Sequence, residues 1–274
     1  MTGWTLRTKQ VPALRVDMRG VSPIALAALA QTEVERFRVG YGNSLVALAE
    51  FFHVEAGADA TLRFEAELAR FDRVGWQMNG GQLVVEGNVG DYAGACMRSG
   101  EMTVQGSARD LAACEMAGGT LRIDGNVADF AASTLPGSMD GMRGGMLVVK
   151  GDAGARFGDR MRRGTALVFG DAGDFLGSRM VAGTIAVGGR CGVHCGYGMR
   201  RGSIVFAGTP PPMGPTFAPA VAEVAVFWQL LARDLARHGG AFAELPSRRI
   251  ARWLGDLAAC GKGELILVEP GNRN

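Results

Sequence analysis

A pattern of glycine, methionine and alternating apolar residues repeats along the middle of the chain. Each repeat has a corner glycine, and the step between corner glycines is 19 residues: Gly81, Gly100 and Gly119, then, after one insertion, Gly145, Gly164, Gly183 and Gly202. A methionine stands three residues before each corner glycine, and a second glycine stands six residues after it. Behind the corner, apolar and other residues alternate, which is typical of a short strand with one buried face. We assign the inward positions to Leu83 and Val85, Met102 and Val104, Leu121 and Ile123, Leu147 and Val149, Leu167 and Phe169, Ile185 and Val187, and Ile204 and Phe206.

The repeat predicts one turn of a parallel β-helix. It is too short for a strand–helix–strand unit, which needs about 30 residues. Glycine suits the corners because it adopts positive φ and lets neighbouring backbones approach closely. We therefore expect a mainly β protein, a single-stranded right-handed parallel β-helix with about seven 19-residue coils. The methionines should stack inside it as a core ladder; a copper-type methionine site is the less favoured alternative.

Four corner positions depart from glycine. Ala113, Ala128 and Ala132 stand where most coils have glycine, which predicts corners that do not need positive φ. Arg109 replaces another glycine and predicts a local bulge. The insertion of seven residues falls within residues 132–141. A solenoid extrudes such insertions as loops, often on a binding face, so this loop is a candidate for contact with a partner or ligand.

The flanking segments divide the chain into three parts. Residues 1–55 predict a small α/β N-terminal cap, with strands within 5–18, a helix at 24–30 after Ser22 and Pro23, and strand-like alternation at 33–39. Residues 56–208 form the β-helix, entered by a degenerate coil at 56–77. Residues 209–274 begin as a proline-rich linker and continue as a C-terminal helical tail. In the tail we predict buried apolar helices at 218–238 and 247–259, and a short strand at 265–268.

Composition narrows the class of protein. The net charge of +2 gives no case for a nucleic-acid partner. No apolar run reaches the roughly 20 residues that cross a bilayer, and residues 1–10 lack the apolar core of a signal peptide. The five cysteines are an odd number with no disulfide framework, which agrees with a reducing compartment. We expect a cytoplasmic protein with no membrane or nucleic-acid partner.

The sequence has few candidates for catalytic or metal-binding residues. Cys191, His194 and Cys195 look at first like a metal site, but zinc needs four ligands. Cys191 also aligns with interior positions such as Val89, so we favour core packing and expect no metal and no catalytic residue. A column of aspartates follows the glycines, and we expect each to cap its own turn. Its members are Asp91, Asp110, Asp129 and Asp174.

Arginine is more informative. From residue 156 to 201 there are eight basic and three acidic residues. Several arginines directly follow the column methionines, so they should stack into a stripe along one edge. A solvated face is the simpler interpretation, and a site for a polyanion is the sharper one, since guanidinium groups suit planar carboxylates. The residues of the stripe are Arg98, Arg143, Arg162, Arg163, Arg200 and Arg201.

These motifs resemble known families over residues 1–208. Coils with a Met-x-x-Gly corner and Gly-x-x-Gly-x-x-x-Gly spacing are similar to the C-terminal β-helix of the glutamate synthase large subunit. They resemble more closely the C-type subunit of formylmethanofuran dehydrogenase, in the bacterial form found in formyltransferase/hydrolase complexes. The resemblance implies a non-catalytic scaffold subunit in one-carbon metabolism, with A-, B- and D-type subunits as partners.

The resemblance also implies a reaction and a cofactor. Complexes of this family convert formyl-tetrahydromethanopterin to formate through a furan-type carrier, with the hydrolytic metal on the A-type subunit and formyl transfer on the D-type subunit. The methanofuran-type carrier has a polyglutamate tail, which the arginine stripe would suit. Two alternatives stay open: a glutamate-synthase-type β-helix subunit or interaction module, and an independent polysaccharide-acting β-helix enzyme.

Overall fold

A computed structural model describes residues 3–220 and 224–269. The strands are β1 (Trp4–Thr8), β2 (Val16–Asp17), β3 (Arg38–Tyr41), β4 (Ser44–Ala47), β5 (Phe52–Ala56), β6 (Thr61–Glu65), β7 (Phe71–Asp72), β8 (Asn79–Val85), β9 (Ser99–Val104), β10 (Thr120–Ile123), β11 (Arg143–Val149), β12 (Arg163–Val168), β13 (Thr184–Val187), β14 (Arg201–Phe206), β15 (Ala218–Pro219), β16 (Ile250–Gly255) and β17 (Lys262–Val268). The α-helices are α1 (Pro23–Leu26), α2 (Gln31–Glu35) and α3 (Ala225–Ala236), and 3-10 turns lie at Leu48–Glu50, Gly240–Phe242, Leu245–Ser247 and Leu257–Ala259. None of these described helices combines the length and apolar character needed to cross a membrane.

Each repeat contributes one strand to a mostly parallel sheet of 13 strands. Strands β8 to β14 lie side by side in chain order, and equivalent residues of successive repeats face each other, as Leu83 faces Met102. The degenerate repeat joins through β6, where Leu62 faces Leu83. A second line of parallel bridges, one residue per repeat, runs from Leu68 to Cys191. The prediction of a mainly β, β-helix-like fold is confirmed at this level.

The column methionines fill the interior of the array. All seven are at most 1% exposed, which confirms the predicted core ladder. The terminal methyl of five of them lies beneath the corner glycine of the next repeat. A Cβ placed on Gly164, for example, would lie 3.0 Å from Cε of Met142 and 2.7 Å from the carbonyl oxygen of Gly145. The methionine and glycine columns therefore depend on each other, because a side chain at the corner would displace both the methionine and the neighbouring backbone.

The predictions about the corners hold only at Ala128, which is not among the residues with positive φ. Ala113 and Ala132 have φ angles of 55° and 56°. Alanine thus occupies the same left-handed backbone that glycine occupies elsewhere, at a cost of about 1–2 kcal/mol per residue. Arg109 causes no bulge, because the neighbouring Ala108 pairs in register with the repeats on both sides. Stacking of the array therefore holds ordinary residues in a conformation that their own preferences oppose.

One inward pair differs in register between sequence and structure. The alternation predicts that Leu167 and Phe169 face inward, but Ala166 and Val168 occupy those positions and belong to the main core. Leu167 lies on the opposite face of the sheet and is fully buried there beneath α3. Ala166 and Val168 stand two and four residues after Gly164, as the inward residues of the other repeats do after their corner glycines. The assignment to Leu167 and Phe169 is therefore one residue out of register, within a strand that is apolar on both faces.

The N-terminal residues form two short helices and strands of two sheets. β1 lies between β5 and β6 in the large sheet, and β2, β3, β4 and β7 form a second sheet. The hydroxyl of Ser22 caps α1 by accepting the N–H of Ala25, but the helix ends at Leu26. The strand predicted at 33–39 is only partly correct, because α2 precedes β3. The carboxylate of Glu33 starts α2 by accepting the N–H of Ala30 at 2.8 Å.

The C-terminal region contains one of the two predicted helices. Within 218–238, β15 occupies Ala218–Pro219, Val221 lies outside the described residues, and the helix spans Ala225–Ala236. The helix predicted at 247–259 is wrong: this segment forms β16 and a 3-10 turn. β16 pairs antiparallel with β17 along its whole length, so a ready sheet edge overrides the helical spacing of its apolar residues. The strand predicted at 265–268 is confirmed within β17.

The apolar helix α3 packs on the outer face of the sheet. Trp228, Ala232 and Leu235 are buried against residues of β11 to β14 and β17. The indole Nε1 of Trp228 donates to the carbonyl oxygen of Arg248 at 3.2 Å, which anchors the helix to the segment before β16. The opposite face, with Leu230 65% exposed, is open to solvent. The prediction of a buried helix therefore holds for one of its faces.

Candidate functional site

Four of the six predicted arginines border one open groove. Arg143, Arg163 and Arg201 are the first residues of β11, β12 and β14. Because parallel strands begin at the same edge of a sheet, these side chains lie along that edge. The groove has a volume of about 440 Å³ and is lined by Asp140, Arg143, Arg162, Arg163, Val181, Ala182 and Arg201. We call it the arginine groove.

The arginines of the groove differ in their pairing. Arg143 forms an ion pair with Glu115, and Arg162 pairs with Asp140 at 2.5 Å. Arg163 and Arg201 are exposed, and neither has a carboxylate partner within residues 3–220 and 224–269. The groove therefore presents two guanidinium groups whose donors are open to an anion, beside two that are already neutralised.

The predicted stripe is interrupted elsewhere. Arg98 and Arg200 keep the expected position, since their N–H groups donate to the carbonyl oxygens of Met78 and Met180 in the preceding repeats. Ala117, however, occupies the equivalent position between Arg98 and Arg143. Arg98 and Arg200 are exposed but do not line the groove. The structure thus places all six arginines on one edge and brings four of them together.

The insertion borders the arginine groove. It leaves the array after Ser133 and rejoins it at Met142, as the interval 132–141 predicts. The N–H of Leu135 donates to the carboxylate of Glu115, which is 8% exposed and also binds Arg143. Glu115 therefore ties the loop to the groove. Contact of this loop with a partner or ligand stays a prediction.

Two columns of polar side chains link successive repeats on the outside. A carboxylate oxygen of Asp110 accepts the N–H of Asp129 at 3.1 Å, and Asp129 accepts the N–H of Ala155 at 2.8 Å. The aspartates therefore bind the next repeat, and the prediction that they cap their own turn is wrong. A parallel column includes Asn126, which accepts the N–H of Asp152 at 2.8 Å. Its sequence signal is the Asn, Ser or Asp that follows the second glycine of most repeats.

The cysteines do not form a metal site. The sulfur atoms of Cys191 and Cys195 lie against each other, and Cys96, Cys114 and Cys260 are free cysteines. Cys191 is half-buried rather than fully interior. No group of three or more His, Cys, Asp or Glu residues in the described part of the chain is placed to hold a metal ion. Burial raises the pKa of the Cys114 thiol to about 12, which keeps it protonated at neutral pH.

Comparison with known sequences finds relatives over part of the chain. No protein-family model matches it. It is 41% identical over 86 residues to the C-type subunit of the formyltransferase/hydrolase complex Fhc of Methylorubrum extorquens, covering 31% of this chain and 32% of the relative. It is 32% identical over 95 residues to the C-type subunit of tungsten-containing formylmethanofuran dehydrogenase 2 of Methanothermobacter marburgensis, covering 33% and 35%. These alignments span about one third of each relative's length.

The structural comparison extends over nearly the whole chain. A chain in the crystal structure of the formyltransferase/hydrolase complex FhcABCD from Methylorubrum extorquens, determined with methylofuran, is 40% identical and superposes with a TM-score of 0.90. The match covers 97% of this chain and 100% of that one. Sequence and structure thus agree on the same relatives, and this chain belongs to the family of C-type subunits of formylmethanofuran dehydrogenases and formyltransferase/hydrolase complexes.

Proposed function

We propose that this chain is a scaffold subunit of a formyltransferase/hydrolase complex and works with A-, B- and D-type subunits. The observation that carries the proposal is the match, over 97% of this chain, with a chain of the FhcABCD complex. Backbone hydrogen bonds of the sheet, the buried methionines and the two polar columns link successive repeats. The array is therefore a rigid frame on which partners can assemble. The scaffold has no active site of its own in this proposal.

The proposed complex acts in cytoplasmic one-carbon metabolism. It converts formyl-tetrahydromethanopterin to formate through a furan-type carrier, with hydrolysis on the A-type subunit and formyl transfer on the D-type subunit, as the family resemblance implies. The crystal structure of the related complex contains methylofuran, whose name indicates a furan-type carrier. The share of this chain is to hold the catalytic subunits and the carrier in place.

The same proposal includes the finer architecture. Residues 56–208 form a right-handed parallel β-helix of about seven coils, with the cap at 1–55 and the tail at 209–274. Parallel bridges between Val89 and Ala108, and between Ala108 and Val127, recur at the 19-residue step of the sequence repeat, which supports this view. Strands from both the cap and the tail extend the large sheet.

We assign the arginine groove to the polyglutamate tail of the methanofuran-type carrier. Arg163 and Arg201 supply open guanidinium groups. Arg200 lies beside Arg201, and Arg98 lies on the same edge beyond Ala117. Successive carboxylates of the tail would pair with successive arginines. A single exposed pair contributes at most about 1 kcal/mol, so retention depends on several pairs acting together.

The test is the carrier content of the intact complex. Arg163→Ala combined with Arg201→Ala removes the two open guanidinium groups, and the carrier bound per complex should fall severalfold after a wash at high salt. Arg190→Ala is the matched control, because Arg190 is exposed and pairs with Asp171 at 2.7 Å outside the groove. Unchanged carrier content in the double variant would contradict the assignment.

A second pair of substitutions grades the contribution of the remaining arginines. Arg162→Ala combined with Arg200→Ala should weaken carrier retention less, because Arg162 is already paired with Asp140.

A glutamate-synthase-type subunit remains the alternative by resemblance, and a polysaccharide-acting enzyme is a further one. The relatives reported above are named neither as glutamate synthases nor as polysaccharide-acting enzymes. No contact in the described residues favours these alternatives over the scaffold.

A further inference from the structure

A strip of aromatic and arginine side chains runs along a corner of the array outside the arginine groove. Phe130, Arg156, Phe175 and His194 occupy the same position in four successive repeats. All four have φ angles between 58° and 61°. Because the backbone is the same at each position, the side chains leave the corner in the same direction and stack. We call these four residues, together with Tyr197, the aromatic strip.

Ring contacts hold the strip in a fixed arrangement. The guanidinium carbon of Arg156 lies 4.8 Å from the ring centre of Phe175 and 5.8 Å from that of Phe130. Phe175 stacks on His194 with ring centres 4.8 Å apart, and Tyr197 meets Phe175 edge-on at 6.1 Å. The Arg156 guanidinium is thus held near the rings of Phe130 and Phe175 before any partner binds.

Arg156 differs from most arginines of the array in its pairing. Arg160 and Arg179 both contact the carboxylate of Asp159. Arg156 has ring contacts but no carboxylate partner anywhere in the described ranges. A planar guanidinium with its edge unpaired is a receptor for a carboxylate, which it can bind through two parallel hydrogen bonds. The strip therefore combines an apolar surface with one oriented cation.

The strip continues into an apolar cavity at the end of the array. Val193, His194 and Tyr197 form one wall, and the proline-rich segment at 211–215 with Phe217 forms another. The cavity has a volume of about 500 Å³. Val193 and Tyr197 are 48% and 57% exposed. Contiguous exposed apolar surface of this kind marks interaction sites in soluble proteins.

We propose that the aromatic strip and the adjoining cavity are the docking surface for another protein subunit of the complex. The partner places an apolar or aromatic side chain in the cavity and a carboxylate on Arg156. The inference rests on the proposed function, since it takes the partner from the formyltransferase/hydrolase-type complex. Tyrosine, phenylalanine and arginine are enriched at protein interfaces, and rings that are ordered in advance lose little freedom on binding.

The open guanidinium of Arg156 favours a partner that brings a carboxylate. Asp256, the acidic residue of the cavity lining, already accepts the N–H groups of Gly198 and Ala258. A partner element with a carboxylate beside an apolar side chain therefore complements both Arg156 and the cavity.

The experiment uses the complex assembled from this chain and its cognate A-, B- and D-type subunits, purified through a tag on the A-type subunit. Mass photometry over a dilution series gives the apparent dissociation constant of this chain. Arg156→Glu and Tyr197→Ala should each raise it about tenfold or more, and Arg156→Lys should have an intermediate effect because it keeps the charge but loses the planar fork. Leu45→Ala, at a site 66% exposed on β4, is the matched control and should leave it unchanged.

Each other outcome overturns the proposal in a distinguishable way. Unchanged dissociation constants for both strip variants, in a wild-type complex that assembles, show that no subunit docks there. Loss of carrier without loss of this chain shows that the strip holds a ligand carboxylate instead. An equal effect of Leu45→Ala shows that the strip is not specific. A wild-type chain that fails to assemble with these subunits overturns the proposed function as well, and unchanged circular dichroism spectra confirm that the variants fold.

Discussion

A corner glycine tests whether close approach between repeats holds the array together. Gly164 has a φ of +92°, and a Cβ there would lie 2.7 Å from the carbonyl oxygen of Gly145 and 3.0 Å from Cε of Met142. Both separations are shorter than ordinary van der Waals contact. The Met142 side chain is fully buried and has no free space to move into. The carbonyl belongs to the backbone of the neighbouring repeat. Gly164→Ala should therefore push two repeats apart.

The expected loss follows from two contributions. Left-handed backbone costs an alanine about 1–2 kcal/mol relative to glycine, and overpacking a close-packed interior costs about 1–3 kcal/mol. Together they lower the free energy of unfolding by about 2–5 kcal/mol. At about 2–4 °C per kcal/mol for a chain of this size, the melting temperature should fall by roughly 4–20 °C.

Gly137→Ala provides the matched control for this measurement. Gly137 lies in the insertion with a φ of +84°, and no heavy atom comes within 4 Å of its Cβ position. This variant keeps the backbone cost and omits the collision, so its loss should stay near about 1–2 kcal/mol. Differential scanning calorimetry of both variants in the same complex gives the comparison. Equal losses would refute the argument from close approach.

Three further predictions concern α3, the polar columns and the cysteines. Trp228→Ala should lower the free energy of unfolding by about 3–5 kcal/mol and expose α3 to limited proteolysis, whereas Leu230→Ala should change it by less than about 0.5 kcal/mol; equal protease sensitivity would contradict the packing of α3. Asp152→Ala should lower the free energy of unfolding by about 1 kcal/mol, because the N–H of Asp171 loses its acceptor. Asp152→Asn should restore most of that loss in urea unfolding, and equal stability of the two variants would contradict a contribution from this hydrogen bond. Iodoacetamide at pH 8 should modify exposed Cys260 and spare Cys114, whose pKa is raised to about 12 by burial; early modification of Cys114 by intact mass would disprove its burial.

The sequence predicts the array well because each position of the repeat has the same structural role in every coil, as a corner, an interior methionine or an inward strand residue. Leu83 and Val85 are separated by the half-buried Val84 and flanked by exposed residues, and both are buried as expected. The prediction is one residue out of register at Leu167. Ala166 and Val168 keep the regular spacing from Gly164, but the strand is apolar on both faces because α3 buries the outer one, so alternation alone does not identify the inward residues. The prediction fails for β16, whose apolar residues have helical spacing. There the decisive fact is the free edge of β17, which only the folded array provides.

The candidate site is predicted in part. The column after the methionines identifies Arg143 and Arg162 as neighbours, but their ion pairs with Glu115 and Asp140 depend on how the insertion folds back. The aromatic strip follows the same 19-residue spacing, so a search for columns of aromatic residues finds it in the sequence. Its connection to the cavity requires the structure, because the proline-rich segment that completes the wall lies outside the repeat.

The central claim is that this chain is a scaffold subunit of a carrier-containing complex. Native mass spectrometry of the assembly purified through a tag on this chain tests it most directly. The account predicts one complex that contains this chain, A-, B- and D-type subunits and a methanofuran-type carrier with its polyglutamate tail. Recovery of this chain alone, or in an assembly that lacks those subunits, would contradict it.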